Sequence, residues 1–458
     1  MKLTDFKYVY FLGIGGIGMS ALARWFATNG FAVAGYDRTP TALTQKLQEE
    51  GILVHFDDDI NQVPALFIEH KSQTLVIFTP AIPKNHVTYN YLKDNGFTLQ
   101  KRAQVLGLLA GGMFTLAVAG THGKTTTSSM LAHLLRHSGL NCAAFLGGIT
   151  QNYGTNLLIN APTDDLSKVF CVVEADEFDR SFLTLFPQMA IVTSTDADHL
   201  DIYGDHGSML ESFAEFVTQI KPNGHLFMRQ GLRLAVHTTA QVSEYALDSG
   251  AYHAQNVRVE DACFVFDIVY PNGVVSDISM QVPGFHNVEN AVAAAAVGLA
   301  VGLSAAQIKN GLETFGGVKR RFEYHLKTDR KVLIDDYAHH PAEVEAFLRS
   351  VKALYPNRHV TAIFQPHLFS RTRDFAAEFA QSLSIADHLI LLDIYPAREL
   401  PMADVTSDLI FDPVTCTKVQ CSKSELLEVI KNSPTDVVVT IGAGDIDQYV
   451  EPIKQILI

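Results

Sequence analysis

The stretch Phe114-Thr115-Leu116-Ala117-Val118-Ala119-Gly120-Thr121-His122-Gly123-Lys124-Thr125-Thr126-Thr127 decides how this chain is read. A β-prone apolar run, Phe114 to Ala119, enters a glycine-flanked turn, and a Lys-Thr pair opens a helix expected over Ser128 to His137. Strand, glycine turn and helix N-terminus aim several backbone N–H groups at one point, with the helix dipole behind them, and that arrangement suits phosphate. Lys124 adds a mobile positive charge for β- and γ-phosphates, and the Thr125 hydroxyl can bind Mg²⁺. The general phosphate-loop pattern wants glycine five residues before Gly123, where Val118 stands. The first glycine is instead Gly120, so the loop is short.

Downstream, the apolar run Val169 to Val173 reads as a central parallel strand. It ends in Glu174-Ala175-Asp176-Glu177-Phe178-Asp179, four carboxylates in six residues. Ligands gather at the C-terminal ends of strands in open α/β sheets, and acids crowded beside a phosphate loop call for a cation, so Mg²⁺ is expected there. A further strand, Met189 to Thr193, leads to Asp198 and His199 on the same edge, where His199 is a candidate ligand.

Upstream, the strand Tyr8 to Leu12 runs into Gly13-Ile14-Gly15-Gly16-Ile17-Gly18 and a helix expected from Met19 to Asn29. The strand Ala32 to Tyr36 then delivers Asp37, 19 residues after Gly18. This is a glycine fingerprint in its proper strand–helix context, and it brings backbone close to a pyrophosphate. Strands at Thr74 to Phe78 and Thr98 to Gln100 complete a small α/β domain ending near Gly112. After the central core, the alternating stretch from Leu226 to Ile278, with a turn at Pro271-Asn272-Gly273, reads as appended antiparallel β-structure. A third α/β unit follows Gly316-Gly317-Val318-Lys319-Arg320-Arg321, with strands at Val332 to Ile334, His359 to Phe364, His388 to Leu392 and Val437 to Ile441. Its polar groups also cluster at strand ends: Asp336, Tyr337, His339 and His340, then Gln365, His367, Arg371 and Arg373, then Tyr395.

At 458 residues the chain is too long for one ordinary core, and 47% hydrophobic with 18% charged residues describes a folded protein. A net charge of −14 without a basic stripe argues against nucleic acid as a partner. The five scattered cysteines lack metal-type spacing and fit reduced thiols. Met1 to Lys7 is polar and leads straight into a strand, so no signal peptide is expected. The most apolar stretch, Ala291 to Leu303, has 13 residues with Gly298 and Gly302 inside it. That is too short to span a bilayer and reads as a buried helix. The expectation is a cytoplasmic protein without membrane insertion, a monomer or weak dimer.

A pyrophosphate cradle, a separate Lys-Thr phosphate loop and a set of carboxylates make a protein of two nucleotides. A dehydrogenase needs only the first, a simple kinase only the other two. ATP energy spent on a substrate that itself carries a nucleotide diphosphate needs all three. With His and Arg gathered on a third domain, the reacting groups read as a carboxylate and an amine, joined through an acyl phosphate.

Gly13 to Ser20, Gly120 to Thr127, Glu174-Ala175-Asp176-Glu177, Asp198-His199, His286-Asn287-Val288-Glu289-Asn290-Ala291, Arg320-Arg321-Phe322-Glu323 and Asp335-Asp336-Tyr337-Ala338-His339-His340-Pro341 resemble the Mur ligase family, in order and across essentially the whole chain. The short phosphate loop is that family's own form. The resemblance implies an α/β fold of three domains: an N-terminal Rossmann-like domain (1–112), a central P-loop ATPase-type α/β domain with added β-structure (113–317) and a C-terminal Rossmann-like α/β domain (318–458). It also implies ATP-dependent joining of L-alanine to the carboxylate of UDP-N-acetylmuramate, a step of peptidoglycan precursor synthesis, with Mg²⁺ as cofactor.

Position by position, the resemblance implies that Gly15, Gly16, Ile17 and Gly18 with Asp37 and His122 cradle the UDP-sugar. Gly120, Thr121, His122, Gly123, Lys124, Thr125 and Thr126 hold the ATP phosphates. Thr125 and Glu174 bind one Mg²⁺ and His199 a second. Asn287 and Asn290 contact adenosine, while Arg321 and Asp336 reach ATP from the linker and third domain. Tyr337, His339, His367 and Arg371 surround the muramoyl carboxylate and alanine. Lys124, Glu174, His199, Arg371 and His339 are the expected catalytic set, with His199 and His339 candidates for the base.

Relatives that add later amino acids use a carbamylated lysine on the helix after Asp-His. Asp205 to Gln219 holds no lysine, in keeping with the alanine-adding members. Those members commonly carry arginine after Gln-Pro-His, where this chain has Leu368, so Arg371 or Arg373 is left to make that contact. Two rivals remain: a ligase attaching a whole tripeptide to the same UDP-sugar, and an NAD-dependent oxidoreductase built on the first domain.

Overall fold

Runs of Val, Ile, Leu and Phe that alternate with helical patterns build three sheets, and their buried faces set where every polar group can go. In the computed structural model, which describes residues 3–161, 163, 165–397 and 399–458, Met1 and Lys2 of the polar N-terminal stretch lie outside the described residues. The chain forms two compact units, Met1–Tyr245 with Ala293–Gln307, and Ala246–Val292 with Ile308–Ile458.

The first unit holds a parallel sheet and the mainly parallel strands of a second. Strands β1 (Tyr8–Leu12), β2 (Ala32–Tyr36), β3 (Leu53–His55), β4 (Thr74–Phe78) and β5 (Thr98–Lys101) form a sheet in the order β3-β2-β1-β4-β5. In the second sheet, β6 (Phe114–Ala119) lies between β9 (Phe170–Glu174) and β10 (Met189–Val192), all parallel. Strand β7 (Cys142–Thr150) pairs parallel with β9 and antiparallel with β8 (Thr155–Leu158). On the other side, β11 (His225–Arg229) and β12 (Gln241–Ala246) continue the sheet in parallel. This corrects the expectation of antiparallel structure from Leu226 onward. Alternation records one buried face per strand but not the direction of the neighbour.

One apolar core runs through both sheets of this unit, from Phe11, Trp25 and Phe26 to Phe145, Val173 and Phe182. Phe182 stacks on Phe216 with centroids 5.0 Å apart and meets Phe213 edge-on. Such pairs add about 0.5–1.5 kcal/mol beyond the area they bury. The helix Ile17–Thr28 packs on β7 and β8, and Asn156 of β8, fully buried, donates to the carbonyl of Ile17 and accepts from Arg24 at 2.9 Å. The first glycine turn is therefore anchored to the neighbouring sheet by a buried amide.

In the second unit, β13 (Tyr252–Glu260), β14 (Cys263–Tyr270) and β15 (Gly273–Met280) form an antiparallel meander whose last hairpin turns where Pro271-Asn272-Gly273 is expected to turn. The C-terminal sheet runs β16-β17-β21-β18-β19-β20: β16 (Glu323–Lys327), β17 (Val332–Asp336), β18 (Val360–Phe364), β19 (His388–Leu391), β20 (Thr417–Gln420) and β21 (Val437–Ile441). Strands β17, β18 and β21 are buried at every residue, as central parallel strands must be. The Ala-rich helix spans Phe285–Ala300, and Ala291 to Ala296 are fully buried. Among the described residues no helix is long and apolar enough to cross a membrane.

A titration follows from the helix Lys124–His137. His133, 4% exposed, bonds the Tyr153 hydroxyl at 2.9 Å and stacks on His137. Burial, then His137, pushes its imidazole down to about 4. The unfolded chain takes a proton near pH 6.5 and the folded one does not, so stability falls between pH 6.5 and 4, by up to about 1.4 kcal/mol per unit. Urea midpoints measured at pH 7.5, 5.5 and 4.5 should drop less in His133→Gln than in the unsubstituted protein; equal drops would acquit His133.

Candidate active site

Five glycines and two threonines stand in the two turns expected to cradle phosphate, and the side chains behind them explain their shape. Gly120 has φ 134°, and a Cβ there would lie 2.0 Å from Thr193 Oγ1 and 2.8 Å from the Ser194 amide. Gly123, left-handed at φ 80°, caps the helix Lys124–His137 without any side-chain bond to the helix N–H groups. The helix thus starts at the lysine itself, four residues before the expected Ser128. Its N-terminus presents bare N–H groups to an anion.

The end of β10 braces this loop. The His122 amide donates to Ser194 Oγ at 2.7 Å, Thr121 Oγ1 lies 3.0 Å from the same hydroxyl, and Thr193 donates to the carbonyls of Ala119 and His122. The His122 ring reaches Asp196, 3.4 Å away. Thr125 and Thr126 are buried on the first helical turn.

Lys124 Nζ donates to the Gly120 carbonyl at 2.5 Å and to Glu177, whose two oxygens lie 2.7 and 2.9 Å away. Glu177 is 1% exposed and Lys124 13%. Burial pushes the Glu177 carboxyl up to about 7, against the pull of the ammonium. Burial opposes charge on Lys124 too, but Glu177, Asp176 and Glu174 outweigh it and raise the ammonium above its ordinary range. Of the four clustered acids, Glu177 turns inward and bonds the lysine. Asp176 accepts from Arg102 at 3.2 Å, and Asp179 pairs with Lys101 at 3.0 Å. Glu177 is the residue missed among the expected sites. Its signal, a carboxylate beside a lysine loop, was present four times over, and only the turn after β9 distinguishes it.

Glu174 closes β9 and accepts from the Gly147 amide at 3.0 Å. His199, at φ 52°, lies 3.8 Å from both Glu177 and Asp198, with its ring edge-on to Phe178. The hydroxyl of Thr125 and the carboxylate of Glu174 are hard oxygen donors, the kind Mg²⁺ takes, and a phosphate would complete them. The only group of three His or carboxylate donors within 4.8 Å among the described residues is Glu323, His325 and Asp335, and there Arg320 already lies 3.1 Å from Asp335. A Cβ on Gly147 would lie 2.3 Å from both oxygens of Glu174. Gly147→Ala should therefore displace that carboxylate and lower any turnover that depends on it about a hundredfold, with ligand binding at the first glycine turn retained. Unchanged turnover in a kinetic assay would remove Glu174 from the reaction.

In the first glycine turn, Gly15 donates its N–H to Asp37 at 2.7 Å, and Asp37 also accepts from Thr39 at 3.1 Å. Asp37 thus shapes the turn itself. A Cβ on Gly15 would meet Thr44 at 2.6 Å and Asp37 at 2.8 Å; one on Gly18 would meet Arg102 Nη1 at 2.2 Å. Gly16 caps the helix beginning at Ile17 and makes no side-chain bond.

The second unit gathers the remaining candidates. Asn287 and Asn290 bond to each other at 3.3 Å, and Asn287 also donates to the Pro283 carbonyl. Asp336, at the end of β17, accepts from the amides of Phe322 and Ala338 at 2.8 Å each. Burial pushes its carboxyl up to about 7, against Arg321. Arg320 and Arg321 both lie 5.1 Å over the Tyr337 ring. Arg320 bonds Asp335 and the carbonyls of Gly442 and Gly444, whereas Arg321 has a longer contact with Glu343, 3.9 Å away. The rings of His339 and His367 are 6.2 Å apart, His367 stacks on Tyr395, and buried Arg371 lies 3.5 Å from His367. Arg373 instead pairs with Asp374 and is half exposed. Leu368 is buried at φ 74°, with its side chain in the interior.

Residues 8–113 match the Mur ligase family catalytic domain, 118–298 the Mur ligase middle domain and 320–444 the Mur ligase glutamate ligase domain. The chain belongs to the Mur ligase family. This Mur ligase is 49% identical to the UDP-N-acetylmuramate–L-alanine ligase of Parabacteroides distasonis over 461 residues, 100% of this chain and 98% of that one. It is also 49% identical to the enzyme of that name from Cytophaga hutchinsonii, over 99% and 97% of the two chains. The crystal structure of the UDP-N-acetylmuramate–alanine ligase MurC from Thermotoga maritima superposes with a TM-score of 0.80 at 27% identity, over 98% of each chain. A murein peptide ligase from Psychrobacter arcticus shares the fold, with a TM-score of 0.71 at 22% identity over 98% of each chain.

Proposed function

We propose that this Mur ligase joins L-alanine to the carboxylate of UDP-N-acetylmuramate at the expense of ATP, in the cytoplasm, with domains at 1–112, 113–317 and 318–458. The observation that carries the reading is one turn touching two phosphate cradles: Glu177 grips Lys124 of the ATP loop, while Asp176 grips Arg102 beside Gly18 of the UDP-sugar loop. The end-to-end likeness to alanine ligases supports it.

In this reading the muramoyl carboxylate attacks the γ-phosphorus and ADP leaves. The alanine nitrogen then attacks the acyl carbon, phosphate leaves, and the ammonium proton passes to a base, His199 or His339. Lys124 leaves Glu177 for the γ-phosphoryl oxygens, and the bare N–H groups of Gly123 to Thr126 hold the phosphates. Thr125 and Glu174 would hold Mg²⁺, which lowers the phosphate charge that the carboxylate must approach. Asn287 and Asn290 serve adenosine, Arg321 and Asp336 the ATP, and Tyr337, His339, His367 and Arg371 the carboxylate and amino acid.

Phosphate release should require UDP-N-acetylmuramate, ATP, Mg²⁺ and L-alanine together, with UDP-N-acetylmuramoyl-L-alanine as product. Turnover with a tripeptide and none with L-alanine would assign the chain to the tripeptide ligases. NAD binding without UDP-sugar binding would return it to the oxidoreductases.

A further inference from the structure

Arg102 stands at the first residue of the helix Arg102–Gly111, directly after Lys101. Cations are unfavourable at a helix N-terminus, where the dipole is positive, so two in succession need anionic partners. The acid turn supplies them: Asp176 accepts from Arg102 Nη2, and Asp179 pairs with Lys101. The same helix is pinned to the segment after that turn by Thr184, whose hydroxyl donates to the Ala103 carbonyl at 2.8 Å. A Cβ on Gly107 would lie 2.4 Å from the Thr184 carbonyl oxygen. Asp179 and Arg180, at φ 52° and 54°, hold the turn in a left-handed conformation. It keeps that shape because something outside it fixes both ends.

The other edge of the guanidinium faces the glycine turn. A Cβ on Gly18 would lie 2.2 Å from Nη1 and 3.3 Å from Cδ and Cζ, so Arg102 occupies the space that the third fingerprint glycine clears. A guanidinium has five donors in a rigid fork and can serve two anions at once, which an ammonium on a flexible stem cannot do with the same geometry.

We propose that Arg102 is a positioning residue linking the two nucleotide sites, held by Asp176 on one edge and lying against Gly18 on the other. A diphosphate seated on the first glycine turn shares the guanidinium and stiffens the turn that carries Glu174 and Glu177. UDP-sugar and ATP therefore strengthen each other's binding. The inference rests on the reading above that places a UDP-sugar at the first loop and ATP at the second.

The test is the dissociation constant of a non-hydrolysable ATP analogue with Mg²⁺, measured calorimetrically on the full chain with and without saturating UDP-N-acetylmuramate. The unsubstituted protein should bind the analogue at least about fivefold more tightly when the UDP-sugar is present, the lower end of ordinary couplings, and the reverse experiment should give the same factor. Arg102→Ala and Asp176→Asn should each bring that factor to about one, and the double variant should lose nothing more. Arg102→Lys should recover UDP-sugar affinity in part but not the coupling. Failure of the unsubstituted protein to bind either nucleotide overturns the functional reading and this inference with it. Binding of both without coupling, or coupling intact in Asp176→Asn, overturns the inference alone. Asp176→Asn keeps the test decisive if Arg102→Ala does not fold.

Discussion

Lys124→Ala should lower ligase turnover by at least about a thousandfold, the scale of losing one preorganised charge at a developing anion. Affinity for UDP-N-acetylmuramate in the absence of ATP should stay within about twofold, since the Gly15–Gly18 turn shares no bonding partner with the lysine. The fold should survive the change for a specific reason. Glu177 loses its partner, but its carboxyl already lies at about 7, so at neutral pH it takes up a proton with little further penalty. Product formation, followed by chromatography beside calorimetric UDP-sugar binding, measures both halves. Turnover within tenfold of the unsubstituted protein would show that some other cation meets the γ-phosphoryl group.

The central parallel strands and both glycine turns were legible because each is local. A central strand such as β9 needs no partner to be recognised, since Cys171, Val172 and Val173 are apolar throughout, and glycine turns declare the backbone angle they need. Three edge strands were not legible, although the edge strand β5 was expected at Thr98 to Gln100. β3, β16 and β20 are partly exposed, and neither periodicity nor continuous hydrophobicity marks them. Strand direction escaped as well, because the alternation in β11 and β12 is equally compatible with a parallel neighbour. Within the site, the types of residue could be read but not their assignments. Asp176, Glu177 and Asp179 are near neighbours in sequence, yet they bond Arg102, Lys124 and Lys101 respectively. Asn156 reaches Arg24 across 132 residues, and no local pattern encodes that. Glycine carried a double meaning: Gly18 satisfies a fingerprint for pyrophosphate, and the space it clears is filled by Arg102.

Glu177→Gln should be the costlier half of the Lys124–Glu177 pair to lose. It leaves a desolvated ammonium beside an uncharged amide, and breaking a buried pair this way costs about 3–5 kcal/mol. The escape open to Glu177 is closed to Lys124: releasing a proton at pH 7 from a group of ordinary value 10.5 costs about 5 kcal/mol at 1.4 per unit. Replacing both members, Lys124→Met with Glu177→Leu, removes the charges together and should recover most of the stability while abolishing the ligase. Urea unfolding of the three variants distinguishes a pair kept for stability from one kept for chemistry. If the double variant is as unstable as Glu177→Gln, the pair is structural after all. A nucleotide arm then asks where the ammonium goes. A non-hydrolysable ATP analogue with Mg²⁺ should raise the melting temperature of Glu177→Gln more than that of the unsubstituted protein, because the γ-phosphate supplies the counter-charge that glutamine lacks, whereas in the parent it must compete with Glu177. Equal shifts would mean that Lys124 never exchanges its carboxylate for the phosphate, and the transfer of the ammonium from Glu177 to ATP would have to be abandoned.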